Sequence, residues 1–323
     1  MANLKDLAKQ KDLFTGGHRA CAGCGAAIIA RQVMMAAGPN TVVASATGCL
    51  EVISTIFPYT AWNVPFIHSA FENAGATISG VEALYKSWMR QGKYNKKINF
   101  IAFGGDGGTY DIGLQSLSGA VERGHNILYV CYNNEAYMNT GCQRSGATPR
   151  GADTTTAPVG KVKKGKEQYR KDLTAIMVAH HIPYAAQSIA GNWRDLTSKV
   201  EKALSIEGPK FINVFQPCRL GWSYEPELTC DIGRMAADTC AWPLYEVVND
   251  AYRITYKPKE KKPIADWLKL QGRFRHLFKP ENKPLLDDIQ RIVDKSWEEL
   301  LKREAASLPA QGSQSDLTSN PKS

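Results

Sequence analysis

Two short polar segments contain residues that could hold a metal ion and a phosphate group. The first, residues 104–109, places Asp106 between glycines directly after an apolar run. The second, residues 133–136, begins with Asn133 and Asn134 directly after another apolar run. Glycine lets backbone amides approach a phosphate closely, and carboxylate, amide and carbonyl oxygens are ligands that Mg²⁺ prefers. Asp106, Asn134 and a backbone carbonyl just beyond could therefore hold Mg²⁺ against a diphosphate.

The order of these segments is more informative than either one alone. A Gly-Asp-Gly sequence by itself is usually only a tight turn. Here an apolar strand, Gly105-Asp106-Gly107, a helical stretch, a second apolar strand and two asparagines follow one another. This order is that of the thiamine diphosphate motif, so the chain is predicted to bind thiamine diphosphate and Mg²⁺.

Four cysteines form a second group that could carry chemistry. Cys21 and Cys24 form a C-x-x-C among small residues, Cys49 ends an apolar segment, and Cys218 lies far downstream after a proline. Four thiolates could hold one [4Fe–4S] cluster. A four-cysteine zinc site and a thioredoxin-like C-x-x-C remain alternatives, because spacing alone does not exclude zinc. The thiamine motif favours the cluster, since thiamine carbanion chemistry yields electrons that a nearby cluster could accept.

With several further segments, these residues resemble the beta subunits of the 2-oxoacid:ferredoxin oxidoreductase family, and within it the pyruvate branch. The resemblance extends over nearly everything but the C-terminal tail. The matching blocks are residues 17–25, 46–51, 105–113, 134–141, 147–149, 158–161, 217–218, 221–222 and 269–276.

The resemblance implies two metal sites and a cofactor pocket within this chain. The ligands of a [4Fe–4S] cluster would be the thiolates of Cys21, Cys24, Cys49 and Cys218. The ligands of Mg²⁺ would be Asp106, Asn134 and the carbonyl of Ala136. Residues along the cofactor would be Cys49, Gly105, Gly107 and Gly108, with Asn139 projecting toward the reacting carbon and the substrate.

The function that the resemblance implies is the reversible oxidative decarboxylation of pyruvate with coenzyme A to acetyl-CoA and CO₂, with ferredoxin as electron acceptor. The chain would be active only with partner subunits, which would supply further clusters and the glutamate at N1′ of the aminopyrimidine. Glu51 is predicted to be a helix-start carboxylate rather than that glutamate. Two alternatives remain: the same chemistry on oxalate, 2-oxoglutarate or a branched-chain 2-oxo acid, or a non-catalytic zinc-bound scaffold subunit.

Composition agrees with a large enzyme domain in a reducing compartment. The chain has 323 residues, 43% of them hydrophobic, and eight cysteines without an apolar leader, which favours the cytoplasm over a disulfide framework. No stretch approaches the roughly twenty apolar residues of a membrane span. The net charge of +9 includes a basic run at residues 161–171, predicted to be a solvated loop that could dock ferredoxin or a sister subunit. Aromatic platforms or a known module for nucleic acid are absent from the sequence. Cys142, Cys230 and Cys240 follow no pattern.

Apolar and helical segments alternate along most of the chain, which predicts an α/β fold with a doubly wound, mostly parallel sheet. The resemblance makes this the pyrophosphate-binding half of the thiamine diphosphate-binding fold. Strands are predicted at residues 41–46, 98–103, 127–132, 184–187 and 211–215. Helices are predicted at residues 76–89, 112–122, 173–180 and 193–204. Both halves of the thiamine motif then follow strand ends, where ligands bind in such sheets.

The chain is predicted to have three parts. Residues 1–255 would form the domain that binds thiamine diphosphate and the cluster. Residues 256–304 would form an extension that wraps a partner, with a linker at 258–263 and a helix at 285–302. Residues 305–323, rich in Ser, Gln, Asn and Pro, would be a disordered tail.

Overall fold

Apolar runs and the helices between them build one eight-stranded sheet in the computed structural model, which describes residues 3–307. The strand order is β2-β1-β3-β4-β6-β5-β7-β8. The first six strands in this order are parallel to one another. Strand β7 pairs antiparallel with β5, and β8 pairs antiparallel with β7. The strands are β1 Thr41–Ala46, β2 Phe66–Ser69, β3 Asn99–Gly105, β4 Leu128–Asn133, β5 Tyr184–Ile189, β6 Lys210–Phe215, β7 Leu244–Val248 and β8 Ala251–Tyr256.

Helices cover both faces of the sheet, which is why its central strands are mostly apolar and are buried along their whole length. Every residue of β4, β5 and β6 is buried. The α-helices are α1 Leu4–Leu7, α2 Gly25–Ala37, α3 Cys49–Ser54, α4 Ala74–Arg90, α5 Leu114–Glu122, α6 Leu173–Val178, α7 Trp193–Ser205, α8 Arg219–Trp222, α9 Thr229–Asp238, α10 Ile264–Leu268 and α11 Lys283–Ser307. A π-helical turn, Gly108–Ile112, precedes α5, and three 3-10 segments are Pro226–Leu228, Gly272–Phe278 and Pro280–Asn282.

The core has one layer on each face of the sheet. On one face, Ile29 of α2 and Val200 of α7 join one cluster with the inward residues of the parallel strands. On the other, Ile78 of α4, Leu117 of α5 and Met177 of α6 do the same. The predicted doubly wound, mostly parallel α/β fold is thereby confirmed, and each of the predicted strands and helices overlaps an observed one.

The sequence analysis missed the antiparallel hairpin β7–β8, which extends the sheet where the apolar pattern weakens after Trp242. Its turn residues Asn249 and Asp250 both have positive φ, 47° and 65°. Such a pair favours a two-residue hairpin turn, and that Asn-Asp pair was the available signal. The short edge strand β2 was also missed.

The C-terminal part departs from its predicted bounds. Helix α11 continues to Ser307, so it enters the segment that was expected to be a tail from 305 onward. Residues 308–323 lie outside the described residues. The helix packs on β8 and Gly272–Phe278 of its own chain, and Leu300 joins the core there. That the extension wraps a partner stays a prediction. Within residues 3–307, none of the helices combines the length and apolar character needed to cross a bilayer.

Candidate cofactor site

Two neighbouring parallel strands bring the two polar segments together. Gly105 of β3 pairs with Tyr132 of β4, so Asp106 and Asn134, which follow these strands, meet at the carboxyl edge of the sheet. Asp106 is fully buried, and the backbone N–H of Asn134 donates to its Oδ1 at 3.0 Å. The carboxylate is thus fixed by the strand that carries the second half of the motif.

The Asp106 carboxylate, the Asn134 side-chain amide and the Ala136 carbonyl lie close together. One atom of the Asn134 side-chain amide lies 2.9 Å from the Ala136 carbonyl oxygen and 3.0 Å from Asp106 Oδ1. Its other atom lies 3.2 Å from Gln216 Oε1. With the amide nitrogen donating to Gln216 Oε1, the amide oxygen faces the other two oxygens; the reverse orientation would let the nitrogen donate to both of them. Octahedral ligands at Mg–O distances of about 2.05 Å lie about 2.9 Å apart, so this donor set fits Mg²⁺.

Burial raises the pKa of Asp106 to about 7, and the Ser145 hydroxyl and the Asn134 backbone amide act against that rise. Ser145 Oγ donates to Asp106 Oδ2 at 2.6 Å, so it holds the carboxylate oxygen that faces away from Asn134. A cation would favour the ionised form further, because opposite charge stabilises a buried carboxylate. The sequence analysis did not identify Ser145 as a site residue.

A buried lysine supports the Ser145 segment. Lys166 is only 2% exposed, and its Nζ donates to the carbonyl oxygens of Thr148, at 2.5 Å, and Ser145, at 3.3 Å. Burial lowers the Lys166 pKa to about 8. The basic run 161–171 was expected to be a solvated loop, and for Lys166 this was wrong. Its ammonium gives the Thr148 carbonyl a donor and joins the Thr148 backbone amide as a second donor to the Ser145 carbonyl.

Glu135, between two predicted Mg²⁺ ligands, is fully buried and adopts φ 62°. Its carboxylate pairs with Arg170 at 3.1 Å and with Arg273 at 2.5 Å. The Arg273 guanidinium also lies over the Trp222 ring, 3.7 Å from its centroid, and the indole N–H donates to the Asn134 carbonyl at 3.1 Å. The 3-10 segment Gly272–Phe278 is therefore tied directly to the loop that carries the predicted Mg²⁺ ligands Asn134 and Ala136, a contact that the sequence did not reveal.

Neighbouring atoms approach Gly107 and Gly108 too closely to leave room for a Cβ atom at either position. A Cβ on Gly107 would lie 2.4 Å from the Tyr137 ring, and one on Gly108 would lie 2.6 Å from the Phe71 carbonyl oxygen. All residues predicted to line the cofactor border one pocket at this edge of the sheet. They are Cys49, Gly105, Asp106, Gly107, Gly108, Asn134, Ala136 and Asn139. Asn139 is exposed, whereas the predicted Mg²⁺ ligands Asp106, Asn134 and Ala136 are buried.

The four predicted cluster cysteines come from three separate chain segments. Cys24 directly precedes α2, Cys49 begins α3 and Cys218 directly precedes α8. Burial raises the pKa of Cys218 to about 11. Burial also raises the pKa of Cys49, and the thiols of Cys218, Cys24 and Cys21 add to that rise. All four are free thiols, and only Cys21 is exposed.

Backbone amides act against the burial that raises the pKa of two of these thiols. Those of Ala26 and Ala27 do so at Cys24, and those of Leu220 and Gly221 do so at Cys218. Between residues 3 and 307, no three His, Cys, Asp or Glu side chains are close enough to share a single metal ion.

The other cysteines and Glu51 lie outside this arrangement. Cys131 is fully buried in β4, and Cys240 is buried shortly before β7. Cys142 Sγ lies 3.2 Å from Met138 Sδ. Glu51 lies in the first turn of α3, as predicted, and its carboxylate accepts a hydrogen bond from Thr55 at 3.0 Å.

Comparisons with known proteins agree on one family. A family model described as thiamine pyrophosphate enzyme, C-terminal TPP binding domain, matches residues 46–214. Pyruvate synthase subunit PorB of Methanocaldococcus jannaschii is 55% identical over 287 residues, which cover 88% of this chain and 95% of that protein. The protein of the same name from Thermotoga maritima is 54% identical, covering 93% of this chain and 95% of its own length.

Two further matches are named for other 2-oxo acids. Ketoisovalerate oxidoreductase subunit VorB of Pyrococcus abyssi is 44% identical over 90% of this chain and 92% of its own length. The solved 2-oxoglutarate:ferredoxin oxidoreductase of Magnetococcus marinus matches 67% of this chain and 72% of its own with a TM-score of 0.52 at 21% identity, a likeness of fold. This chain belongs to the thiamine pyrophosphate enzymes and, among them, to the family of pyruvate synthase subunit PorB.

Proposed function

We propose that this chain is the beta subunit of a multi-subunit 2-oxoacid:ferredoxin oxidoreductase. With its partner subunits it converts pyruvate and coenzyme A to acetyl-CoA and CO₂, passes the electrons to ferredoxin, and runs in either direction. The observation that carries this proposal is the convergence of Asp106 Oδ1, the Asn134 amide and the Ala136 carbonyl within 2.9–3.0 Å contacts, at the edge of a glycine-lined pocket.

The chain's own residues fit thiamine diphosphate and Mg²⁺. Asp106, Asn134 and Ala136 would hold the ion, and the amides around Gly105, Gly107 and Gly108 would approach the diphosphate. When bound, thiamine diphosphate supplies a carbon nucleophile and an electron sink for the decarboxylation. Asn139, at the exposed end of the pocket, would donate a hydrogen bond to the 2-oxo acid.

Electron transfer would use the four-cysteine site. Cys49 borders the cofactor pocket, and the thiols of Cys21, Cys24 and Cys218 contribute to the rise in its pKa. A [4Fe–4S] cluster held by these thiolates would therefore lie beside the pocket. The backbone amides that act against the rise in the pKa of Cys24 and Cys218 would stabilise sulfur ligands of a polynuclear site. The zinc-bound scaffold remains the alternative that metal analysis distinguishes.

Catalysis requires more than this chain. Of the residues between 3 and 307 that line the pocket, Asp106 is the single carboxylate, and it is itself one of the three groups that would hold Mg²⁺. The glutamate at the aminopyrimidine N1′ would accordingly come from a partner subunit, together with further clusters. The relatives are themselves named as subunits. Eight free cysteines favour a reducing location, so we place the complex in the cytoplasm.

The substrate is proposed to be pyruvate, because relatives of 45–55% identity are named pyruvate synthase subunits. The ketoisovalerate relative at 44% supports branched-chain 2-oxo acids as the second candidate. The test is viologen or ferredoxin reduction by the anaerobically purified complex with pyruvate, 2-oxoisovalerate, 2-oxoglutarate and oxalate, with and without coenzyme A. We expect pyruvate to be preferred and coenzyme A to be needed for turnover.

Two results would contradict the proposal. A complex that reduces viologen with 2-oxoisovalerate or oxalate and not with pyruvate would contradict the substrate assignment and leave the site assignments standing. Stoichiometric zinc in place of iron and acid-labile sulfide at the four cysteines, with no turnover on any 2-oxo acid, would support the scaffold alternative instead.

A further inference from the structure

Tyr132, near the end of β4, occupies space that two glycines leave open between the cofactor pocket and the cysteine site. A Cβ on Gly48 would lie 2.7 Å from the Tyr132 hydroxyl oxygen, and one on Gly105 would lie 3.3 Å from its ring. Gly48 directly precedes Cys49, and Gly105 directly precedes Asp106. The ring therefore lies between the segment that carries a predicted cluster ligand and the segment that carries a predicted Mg²⁺ ligand.

The hydroxyl of Tyr132 is buried and has no hydrogen-bond partner among the described residues. Other buried tyrosines of the core differ: Tyr129 pairs with Thr109 at 3.1 Å, and Tyr184 donates to Glu246 at 2.9 Å. An unsatisfied buried polar group costs about 1–3 kcal/mol, so such a group calls for an explanation.

The surroundings of this hydroxyl indicate its acceptor. The Tyr132 hydroxyl lies against the position of Gly48, the residue before Cys49, so the Cys49 side chain is the adjacent candidate. Burial raises the pKa of Tyr132 well above its ordinary value, the Cys49 thiol adds to that rise, and the Leu50 backbone amide acts against it. The phenolic proton still needs an acceptor, and a metal-bound thiolate is a much better one than a neutral thiol.

We propose that Tyr132 donates a hydrogen bond to the Cys49 thiolate of the bound cluster and thereby raises the reduction potential of that cluster. This inference rests on the proposed function, because it requires Cys49 to be a cluster ligand. Hydrogen bonds to the sulfurs are among the factors that set cluster potentials. Reduction adds negative charge to the cluster, and a donated hydrogen bond stabilises that charge. Tyr132 is a positioning and tuning residue, since its effect on electron transfer passes through Cys49.

The test compares two conservative variants of the anaerobically purified complex. Tyr132→Phe keeps the ring against Gly48 and Gly105 and removes only the unpartnered hydroxyl, so the fold should be retained. Tyr129→Phe is the matched control, because Tyr129 is a buried tyrosine of the same strand whose hydroxyl bonds Thr109 on the opposite face. Redox titrations followed by electron paramagnetic resonance measure the cluster midpoint, and the signal is assigned by its loss in Cys218→Ser.

We expect Tyr132→Phe to retain full iron and sulfide while its assigned cluster titrates at a more negative potential than in the wild-type complex. Tyr129→Phe should leave that midpoint unchanged. An unchanged midpoint in Tyr132→Phe overturns the inference, as does a loss of thiamine diphosphate affinity without a midpoint shift, which would make the cofactor the acceptor. If Cys218→Ser removes no cluster signal, the cluster assignment itself fails and this inference fails with it.

Discussion

At the scale of single residues, Asp106 supplies the one formal charge among the three predicted Mg²⁺ ligands, and it is fully buried. Asp106→Asn keeps its shape and removes that charge. Loss of supporting residues around a metal typically costs 10–100-fold in affinity, so loss of this ligand should weaken Mg²⁺-dependent cofactor binding by at least about a hundredfold. The measurement is the thiamine diphosphate retained after desalting.

The control for that change is Asp231→Asn, which alters an exposed carboxylate paired with Arg234 on α9. It should leave cofactor retention at the wild-type level. Equal cofactor content in the Asp106→Asn and wild-type complexes would remove Asp106 from the metal site.

Ser145 gives a second residue-scale prediction. Its hydroxyl lowers the Asp106 pKa through a 2.6 Å hydrogen bond, against the burial that raises that pKa to about 7. Below that pH the cofactor-free carboxyl is protonated and must lose its proton to bind Mg²⁺. Ser145→Ala should weaken cofactor binding about 10–100-fold. It should also move the pH below which binding declines to a higher value, whereas Ser145→Thr should keep the wild-type profile.

The pH profile is measured as cofactor affinity between pH 6 and pH 9. A Ser145→Ala variant that binds as tightly as wild type, with the same pH midpoint, would show that this hydrogen bond does not position the carboxylate.

At the scale of elements, the 3-10 segment Gly272–Phe278 and the loop after β4 are joined by the buried pair of Arg273 and Glu135. Removing one partner of a buried ion pair leaves an uncompensated charge and costs about 3–5 kcal/mol. Arg273→Leu should therefore lower the free energy of unfolding by about that amount, since Arg170 alone would remain near Glu135. Arg275→Leu, at an exposed position of the same segment, should change it by less than about 0.5 kcal/mol.

Denaturant titration measures the free energy of unfolding of both variants and of the wild-type chain. Equal stability of Arg273→Leu and Arg275→Leu would show that the ion pair does not hold the C-terminal part onto the site. Arg273→Leu should also reduce the thiamine diphosphate retained after desalting, because its partner Glu135 lies between two predicted metal ligands.

Elements with local signals could be predicted from the sequence, and those built by distant contacts could not. The strands that precede Asp106 and Asn134 are apolar runs, and the glycines and asparagines that follow them are adjacent in sequence. Ser145 and Lys166 reach the site through hydrogen bonds across long stretches of chain, which no local pattern encodes. Cys218 could be grouped with Cys21, Cys24 and Cys49 as a possible ligand, but its spacing to the C-x-x-C carries no geometric information, so its role as the fourth cluster ligand is implied by the family resemblance.

At the scale of the whole molecule, the pocket among the described residues contains metal ligands and no second carboxylate. The isolated chain should therefore show no pyruvate-dependent viologen reduction, and the complex should regain it when partner subunits are present. The measurement is the initial rate of each preparation at equal concentration of this chain. Turnover by the isolated chain would show that the activating carboxylate lies within it.

The most direct test of the account is rapid-freeze electron paramagnetic resonance of the anaerobic complex mixed with pyruvate in the absence of coenzyme A. The account predicts that pyruvate reduces a cluster in the wild-type and Cys230→Ser complexes, because electrons pass from the cofactor pocket to the neighbouring four-cysteine site. In Cys218→Ser that signal should be absent while thiamine diphosphate remains bound. Retention of the pyruvate-reduced signal in Cys218→Ser, together with its loss in Cys230→Ser, would contradict the assignment of the cluster to Cys21, Cys24, Cys49 and Cys218.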